Sequence, residues 1–371
     1  MTVTKGLEGV VAATSSISSI IDGVLTYRGI NIDELAENAS FEEVVYLLWF
    51  GKLPTRKELS EFSEQLVSEM HVPAQIIEQL KLYPKNMNTM AALRSAVSSL
   101  ALFDPEANDM SREANIRKAI RLQAKIPVIV AAIARVREDK PVVEAKPGKS
   151  IAYNFLYMLT GKEPDDIAVE ALNKALVLHA DHELNASTFS ARVTVATLSD
   201  IYSGVTSAIG TLKGPLHGGA NEQVMVMLEQ IGNIENVEAY IDEALRNKVK
   251  IMGFGHRVYK NGDPRAKHLQ RMSYELGKLT GNTKWYEMSV KIEELVTSKK
   301  GLKPNVDFYS ASVYTSLEIP RDLFTPIFAV SRVSGWTAHI LEQYEDNRII
   351  RPRAEYVGPT NNRYVPIDQR V

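Results

Sequence analysis

Ser40-Phe41-Glu42-Glu43-Val44-Val45-Tyr46-Leu47-Leu48-Trp49-Phe50-Gly51 reads as one helix with both ends written into it. Ser40 with Glu43 three residues on is a capping box, in which each side chain satisfies a backbone N–H of the first turn. Phe41, Val44, Val45 and Leu48 fall at i, i+3, i+4 and i+7, the spacing of one buried helical face. Gly51 and Pro54 end the pattern.

Outward from this stretch the pattern recurs. Leu59, Phe62, Leu66 and Val67 form a second apolar stripe, and Leu93, Val97 and Leu100 a third ahead of Asp104-Pro105. Val169, Leu172, Leu176 and Leu178 lead into His179-Ala180-Asp181-His182-Glu183. Thr325-Pro326 opens a last helix with proline at its first position, and Val330, Val333, Ile340 and Leu341 supply its inner face. Only the first ~30 residues read otherwise. There, Val10-Val11 and Ile20-Ile21-Asp22-Gly23 are β-branched runs broken by glycine, expected as small strands or turns. No series of strands alternates with the helices, so a parallel sheet with crossovers is not expected. The reading is an all-α fold with minor N-terminal β segments. Breakers concentrate at 138–150, 213–219 and 301–304. The first stretch reads as a surface loop. The other two bracket about 90 residues that suit an inserted smaller domain.

A chain of 371 residues can bury a large core. Its net charge of −2 and pI near 6.4 give no global reason to expect nucleic acid or an acidic membrane surface as partner. With no cysteine there is no disulfide, zinc–thiolate site or thiol nucleophile. The apolar run from Ile126 to Ala134 contains Pro127 and stops at Arg135, far short of the ~20 residues a membrane span needs. The N-terminus carries neither a secretory nor a transit pattern. A cytoplasmic protein is expected.

Three separated segments carry chemistry: Leu216-His217-Gly218-Gly219-Ala220-Asn221, Gly253-Phe254-Gly255-His256-Arg257-Val258 and Pro304-Asn305-Val306-Asp307. Each places one proton-handling residue beside glycine, proline or asparagine, at an element end from which a side chain reaches a cleft. Two imidazoles and a carboxylate can run general acid–base chemistry on carbon. Two of these residues also have a plainer reading: Asp307 as a turn or helix-cap residue, His217 as the satisfied histidine of a buried turn. His179-x-x-His182-Glu183 has helical spacing but matches no zinc-hydrolase signature, so no metal site is expected. Gly253-Phe254-Gly255 lacks the spacing and the preceding strand of a dinucleotide fingerprint.

Together the three segments resemble the catalytic motifs of the citrate synthase family. The resemblance runs from Gly6-Leu7-Glu8-Gly9-Val10 to Ile350-Arg351-Pro352-Arg353, essentially the whole chain. It implies a large helical domain built from 1–217 and 315–371, a small one from 218–314, and substrates in the cleft between them. By resemblance Asp307 removes a proton from the methyl group of acetyl-CoA, His217 stabilises the enol or enolate oxygen, and His256 polarises and protonates the keto oxygen of oxaloacetate. His182 contacts oxaloacetate. Arg265 and Arg332 hold its carboxylates, and Arg332 falls within an otherwise apolar helix where an unpaired guanidinium is expensive. Arg351 resembles the arginine that the family donates across a homodimer interface, although alone it reads as a solvated tail charge. The backbone of Gly253, Phe254 and Gly255 packs on the adenine of coenzyme A, with Lys260 near the phosphates. Coenzyme A thioester enters as cosubstrate, and no prosthetic group is implied. The chain lacks the long N-terminal extension of the NADH-regulated hexameric branch, so an unregulated dimer is expected. The rivals are a 2-methylcitrate synthase using propionyl-CoA and a silent coenzyme A or tricarboxylate sensor.

Overall fold

A computed structural model describes residues 5–7, 9–256, 258–259 and 261–370. Sixteen α-helices account for most of the described residues. The β structure is one antiparallel sheet of three short strands in order β1 (Ser18–Ile21), β2 (Val24–Tyr27), β3 (Ile30–Asn31). Ser18 pairs with Tyr27, and Thr26 with Asn31. Val10-Val11, expected as a strand, lies outside the sheet in irregular chain, with Val11 87% exposed. A β-branched pair with no partner strand gains nothing from extension.

The helices follow in the order α1 (Ile32–Asn38), α2 (Phe41–Phe50), α3 (Arg56–Ser68), α4 (Ala74–Lys81), α5 (Thr89–Leu100), α6 (Arg112–Arg137), α7 (Ile151–Thr160) and α8 (Asp166–His179). Next come α9 (Ala186–Val195), α10 (Ile201–Leu212), α11 (Ala220–Ile231), α12 (Val237–Arg246), α13 (Ala266–Leu279), α14 (Lys284–Lys300), α15 (Val306–Ser316) and α16 (Phe324–Glu345). The capping box of α2 is present in both directions: Ser40 Oγ accepts from Glu43 N at 3.2 Å, and Glu43 Oε2 accepts from Ser40 N at 2.7 Å. Phe41, Val44, Val45 and Leu48 are fully buried, as their spacing predicts. Thr55 and Glu58 build a second box at the head of α3. The last long helix begins at Phe324, two residues before Pro326. Proline therefore sits within the first turn, where its missing N–H has no intrahelical acceptor to lose.

Two long helices, α6 and α16, run through the core and are buried on nearly every face. Helix α16 packs on α2, α6, α8, α9 and α10. Some of its polar residues bond within the helix, as where Thr337 Oγ1 donates to Val333 O at 2.7 Å, and others reach the end of α8, as where Ser334 Oγ lies 3.4 Å from Ala180 O. Gly335 in this helix is a steric necessity. A Cβ there would lie 2.4 Å from both Ala180 O and Asp181 Oδ1, so only glycine lets the 180–181 turn press against the helix. Helices α11 to α15 pack on one another and meet the rest of the chain mainly at α8 and α16, with Lys267 and Arg271 of α13 also pairing with Asp33 and Glu37 of α1.

The sheet positions the turn after α8. Tyr27 Oη lies 3.1 Å from Val177 O and from Asp181 O. Ser18 Oγ donates to Asp181 Oδ2 and accepts from Glu183 N at 2.9 Å. Ile20 N donates to Glu183 Oε1 at 2.5 Å. These bonds hold Glu183 at φ 50°, a left-handed conformation unusual for its type, and so fix His182 between Asp181 and Glu183.

Candidate active site

His256 lies in the loop between α12 and α13. Its Nδ1 accepts two backbone N–H groups, from Val258 at 3.0 Å and Tyr259 at 3.3 Å. Burial, aided by the Arg265 charge, lowers its pKa to about 4, so the ring is neutral at pH 7. A neutral imidazole whose Nδ1 accepts must carry its proton on Nε2. His256 is thus a neutral donor with a fixed tautomer.

His182 approaches from the other side, its ring centroid 5.2 Å from that of His256. Its Nε2 is 3.0 Å from Tyr259 Oη, and burial holds its pKa well below the usual value. The neighbouring His179 does not share this cluster of bonds: it is fully buried, with Nδ1 donating to Ala175 O at 2.7 Å. Among the described residues no group of three or more His, Asp or Glu is placed to hold a metal ion.

His217 sits between α10 and α11, its pKa lowered by burial to about 4. Its Nε2 is 2.8 Å from Ser187 Oγ. Ser187 already accepts the Trp336 indole N–H at 3.0 Å, and its own proton faces two acceptors, Asn185 Oδ1 at 2.8 Å and the histidine. The proton of this one hydroxyl therefore selects the His217 tautomer.

Asp307 stands at the head of α15, after Asn305, whose side chain caps the helix by accepting from Asp307 N at 3.0 Å. The cap is Asn305, which leaves the Asp307 carboxyl free of that task. Its Oδ1 is buried with no hydrogen-bond partner among the described residues. Burial raises its pKa to about 7, against the opposing pull of the Arg265 and Arg332 charges. The carboxyl is therefore poised between acid and base at neutral pH.

The two arginines differ. Arg265 is buried and clamped by Asp263, with Nε to Oδ1 at 2.9 Å and Nη2 to Oδ2 at 2.7 Å. Burial alone would raise the Asp263 pKa, but Arg265 outweighs it and holds the carboxylate low. Arg332, 1% exposed, donates Nε to His179 O at 2.7 Å and lies 4.7 Å over the Phe328 ring. No carboxylate pairs with it among the described residues, and burial lowers its pKa to about 10. Its remaining N–H groups suit a ligand carboxylate.

The loop at 253–255 is stitched to the approach of α15. Gly253 O accepts from Asn305 N at 2.8 Å, Gly255 N donates to Lys303 O at 2.9 Å, and Gly255 O accepts from Asn305 Nδ2 at 2.9 Å. Phe254 packs on Phe308 with centroids 4.6 Å apart. Gly253, at φ 80°, has no room for a Cβ, which would lie 2.8 Å from Phe308 and Val224. Lys260 lies outside the described residues. Arg351 is exposed in the irregular C-terminal segment. A separate apolar cleft of about 780 Å³ between α3, α4 and the 142–148 loop includes none of the candidate residues.

Phe328, Ser187 and Asp263 had no role assigned from sequence. Phe328 is the common neighbour of His217, His179 and Arg332. The signal for Asp263 was available: an aspartate two residues before an arginine in a proline turn is a local ion pair.

Fold and site together define an all-α acyl-transferring enzyme. The chain belongs to the citrate synthase family: the family's model, "Citrate synthase, C-terminal domain", matches residues 6–353. Over 371 residues, all of both chains, it is 66% identical to citrate synthase 2 of Bacillus subtilis. A 2-methylcitrate synthase 1 of Corynebacterium glutamicum is more distant, 43% identical over 377 residues covering 99% of this chain and 98% of that one. The solved ternary complex of carboxymethyl coenzyme A and oxaloacetate with citrate synthase from Thermoplasma acidophilum has a TM-score of 0.93 at 35% identity, covering all of both chains.

Proposed function

We propose that this chain condenses acetyl-CoA with oxaloacetate and water to give citrate and coenzyme A, with the substrates between a large domain (1–217 and 315–371) and a small one (218–314). The observation that carries the reading is the Asp307 carboxyl, buried, unpartnered at Oδ1 and with a pKa near 7. In its ionised form it takes a proton from the thioester methyl group. Such a carbon acid needs its developing enolate oxygen stabilised as the proton leaves. That role requires the Ser187 proton to turn from Asn185 Oδ1 to His217 Nε2, which leaves the ring's own proton on Nδ1 for that oxygen. The nucleophilic carbon attacks the keto carbon of oxaloacetate, and the His256 Nε2 proton passes to the alkoxide. Water then cleaves the citryl thioester.

Arg332, and the N–H groups of Arg265 not used by Asp263, suit the two carboxylates of oxaloacetate, with His182 as a further contact. Coenzyme A would lie along 253–255, with Lys260 near its phosphates. The backbone groups already bonded to 303–305 leave shape and van der Waals contact as the main recognition there. A homodimer completes the site if Arg351 is supplied by the partner. No helix among the described residues is long and apolar enough to cross a membrane.

The test is release of free thiol from acetyl-CoA and from propionyl-CoA at saturating oxaloacetate. One extra methylene at the reacting carbon is worth about 10–200-fold in kcat/KM, so acetyl-CoA should lead with propionyl-CoA measurable. A higher value for propionyl-CoA makes the protein a 2-methylcitrate synthase. No thiol release from either substrate leaves the sensor reading.

A further inference from the structure

We infer that Tyr259 is a positioning residue for oxaloacetate, acting through its hydroxyl on His182 and through its backbone on His256. The inference rests on the reading of His182 as an oxaloacetate contact. Tyr259 is 4% exposed and lies at the centre of the polar cluster. Its ring centroid is 5.5 Å from that of His182 and 4.6 Å from that of His256, and the Arg265 guanidinium lies 5.9 Å from it. No other described aromatic residue touches all three.

The backbone half of the role follows from geometry. Tyr259 N and Val258 N both donate to His256 Nδ1, which leaves Nε2 as the ring's proton-bearing atom. The side-chain half follows from counting protons. Burial raises the Tyr259 pKa, so the phenol keeps its proton, and the His182 ring is neutral. The pair Tyr259 Oη–His182 Nε2 therefore holds two protons, one of which is spent between the partners at 3.0 Å. The other is left to donate outward. Oxaloacetate, with two carboxylates and a keto oxygen, presents only acceptors. A His182 ring without the phenol can rotate or change tautomer and turn a lone pair toward the dianion, which repels it. Donation from the phenol to Nε2 prevents this by holding the ring proton on Nδ1, and the bond also joins the 1–217 segment to the 218–314 segment across the site.

Tyr259→Phe removes the hydroxyl and keeps the ring. The expected result is a KM for oxaloacetate raised about tenfold, the size of one lost hydrogen bond in a buried site, with kcat within about threefold of wild type. A merely structural role would not produce that split. A cycle with His182→Gln supplies the second measurement: if the hydroxyl works through His182, the double variant should match His182→Gln alone rather than add to it. In the wild-type complex with oxaloacetate, the ¹⁵N shifts of the His182 ring should report one tautomer, a readout that needs no variant to fold. An unchanged KM in Tyr259→Phe, additive effects in the cycle, or two His182 tautomers in the complex would each overturn the inference. Failure of His182→Gln itself to weaken oxaloacetate would instead remove the site assignment on which it rests.

Discussion

Arg265 is held by Asp263 through two parallel hydrogen bonds, Nε to Oδ1 at 2.9 Å and Nη2 to Oδ2 at 2.7 Å, with both side chains almost fully buried. Asp263 Oδ2 also accepts Val306 N at 3.0 Å, in the residue before Asp307. The pair fixes both the arginine proposed to bind a substrate carboxylate and the head of the helix that bears the Asp307 carboxyl.

Removing one partner of a buried ion pair strands the other. Asp263→Ala should destabilise the protein by about 3–5 kcal/mol in urea unfolding and raise the KM for oxaloacetate. A loss below about 1 kcal/mol would mean that the pair is worth no more than a surface one.

Asp307→Asn keeps the shape and removes the proposed base. Turnover should fall by roughly 10²–10⁴ with oxaloacetate binding nearly intact. In the wild type, kcat/KM for acetyl-CoA should rise with pH through a midpoint near 7, as the carboxyl ionises. Stability runs the opposite way. A carboxyl whose folded pKa lies above its unfolded value favours the fold at low pH, and this contribution is lost as pH rises through the folded pKa. The Asn variant should therefore melt above the wild type at pH 8, with the gap closing toward pH 4. Equal melting points at pH 8 would contradict the buried, unpartnered carboxyl.

His217 and His256, both with pKa near 4, should stay neutral across the physiological range. Their ring ¹⁵N resonances should show no titration between pH 5.5 and 8. Each has its folded pKa below the unfolded one, so the stability it contributes is present above about 6.5 and lost as pH falls toward 4. An imidazolium signal at pH 7 from either ring would end the neutral-donor description.

Arg351 should act in the partner's site. Arg351→Ala and His256→Ala chains, each nearly inactive alone, should regain activity when mixed, because a heterodimer would hold one site with both lesions and one with neither. No recovery after demonstrated subunit exchange would place Arg351 outside the partner's site.

What the sequence disclosed follows from range. The α2 helix was readable from its capping box and spacing because every interaction that defines it lies within eleven residues. His217, His256 and Asp307 stood out because breakers flank them. Their partners did not, because those contacts join distant positions: Ser187 meets His217 across 30 residues, and Tyr259 meets His182 across 77. The same limit explains Val10-Val11, whose β-branched character had no strand to pair with. The 3₁₀ turn at Arg321–Leu323 leads directly into α16, which moved that helix start ahead of Pro326.

The bonds that tie 253–255 to 303–305 also constrain how such a protein can diverge. His256 follows the first segment by one residue, and Asp307 follows the second by two, so both ride on a single platform. Backbone drift that re-aimed one would re-aim the other. A lineage changing its acyl donor is thus pushed toward exchanging side chains around a frozen frame, and a designer widening the acyl pocket should leave Asn305 untouched.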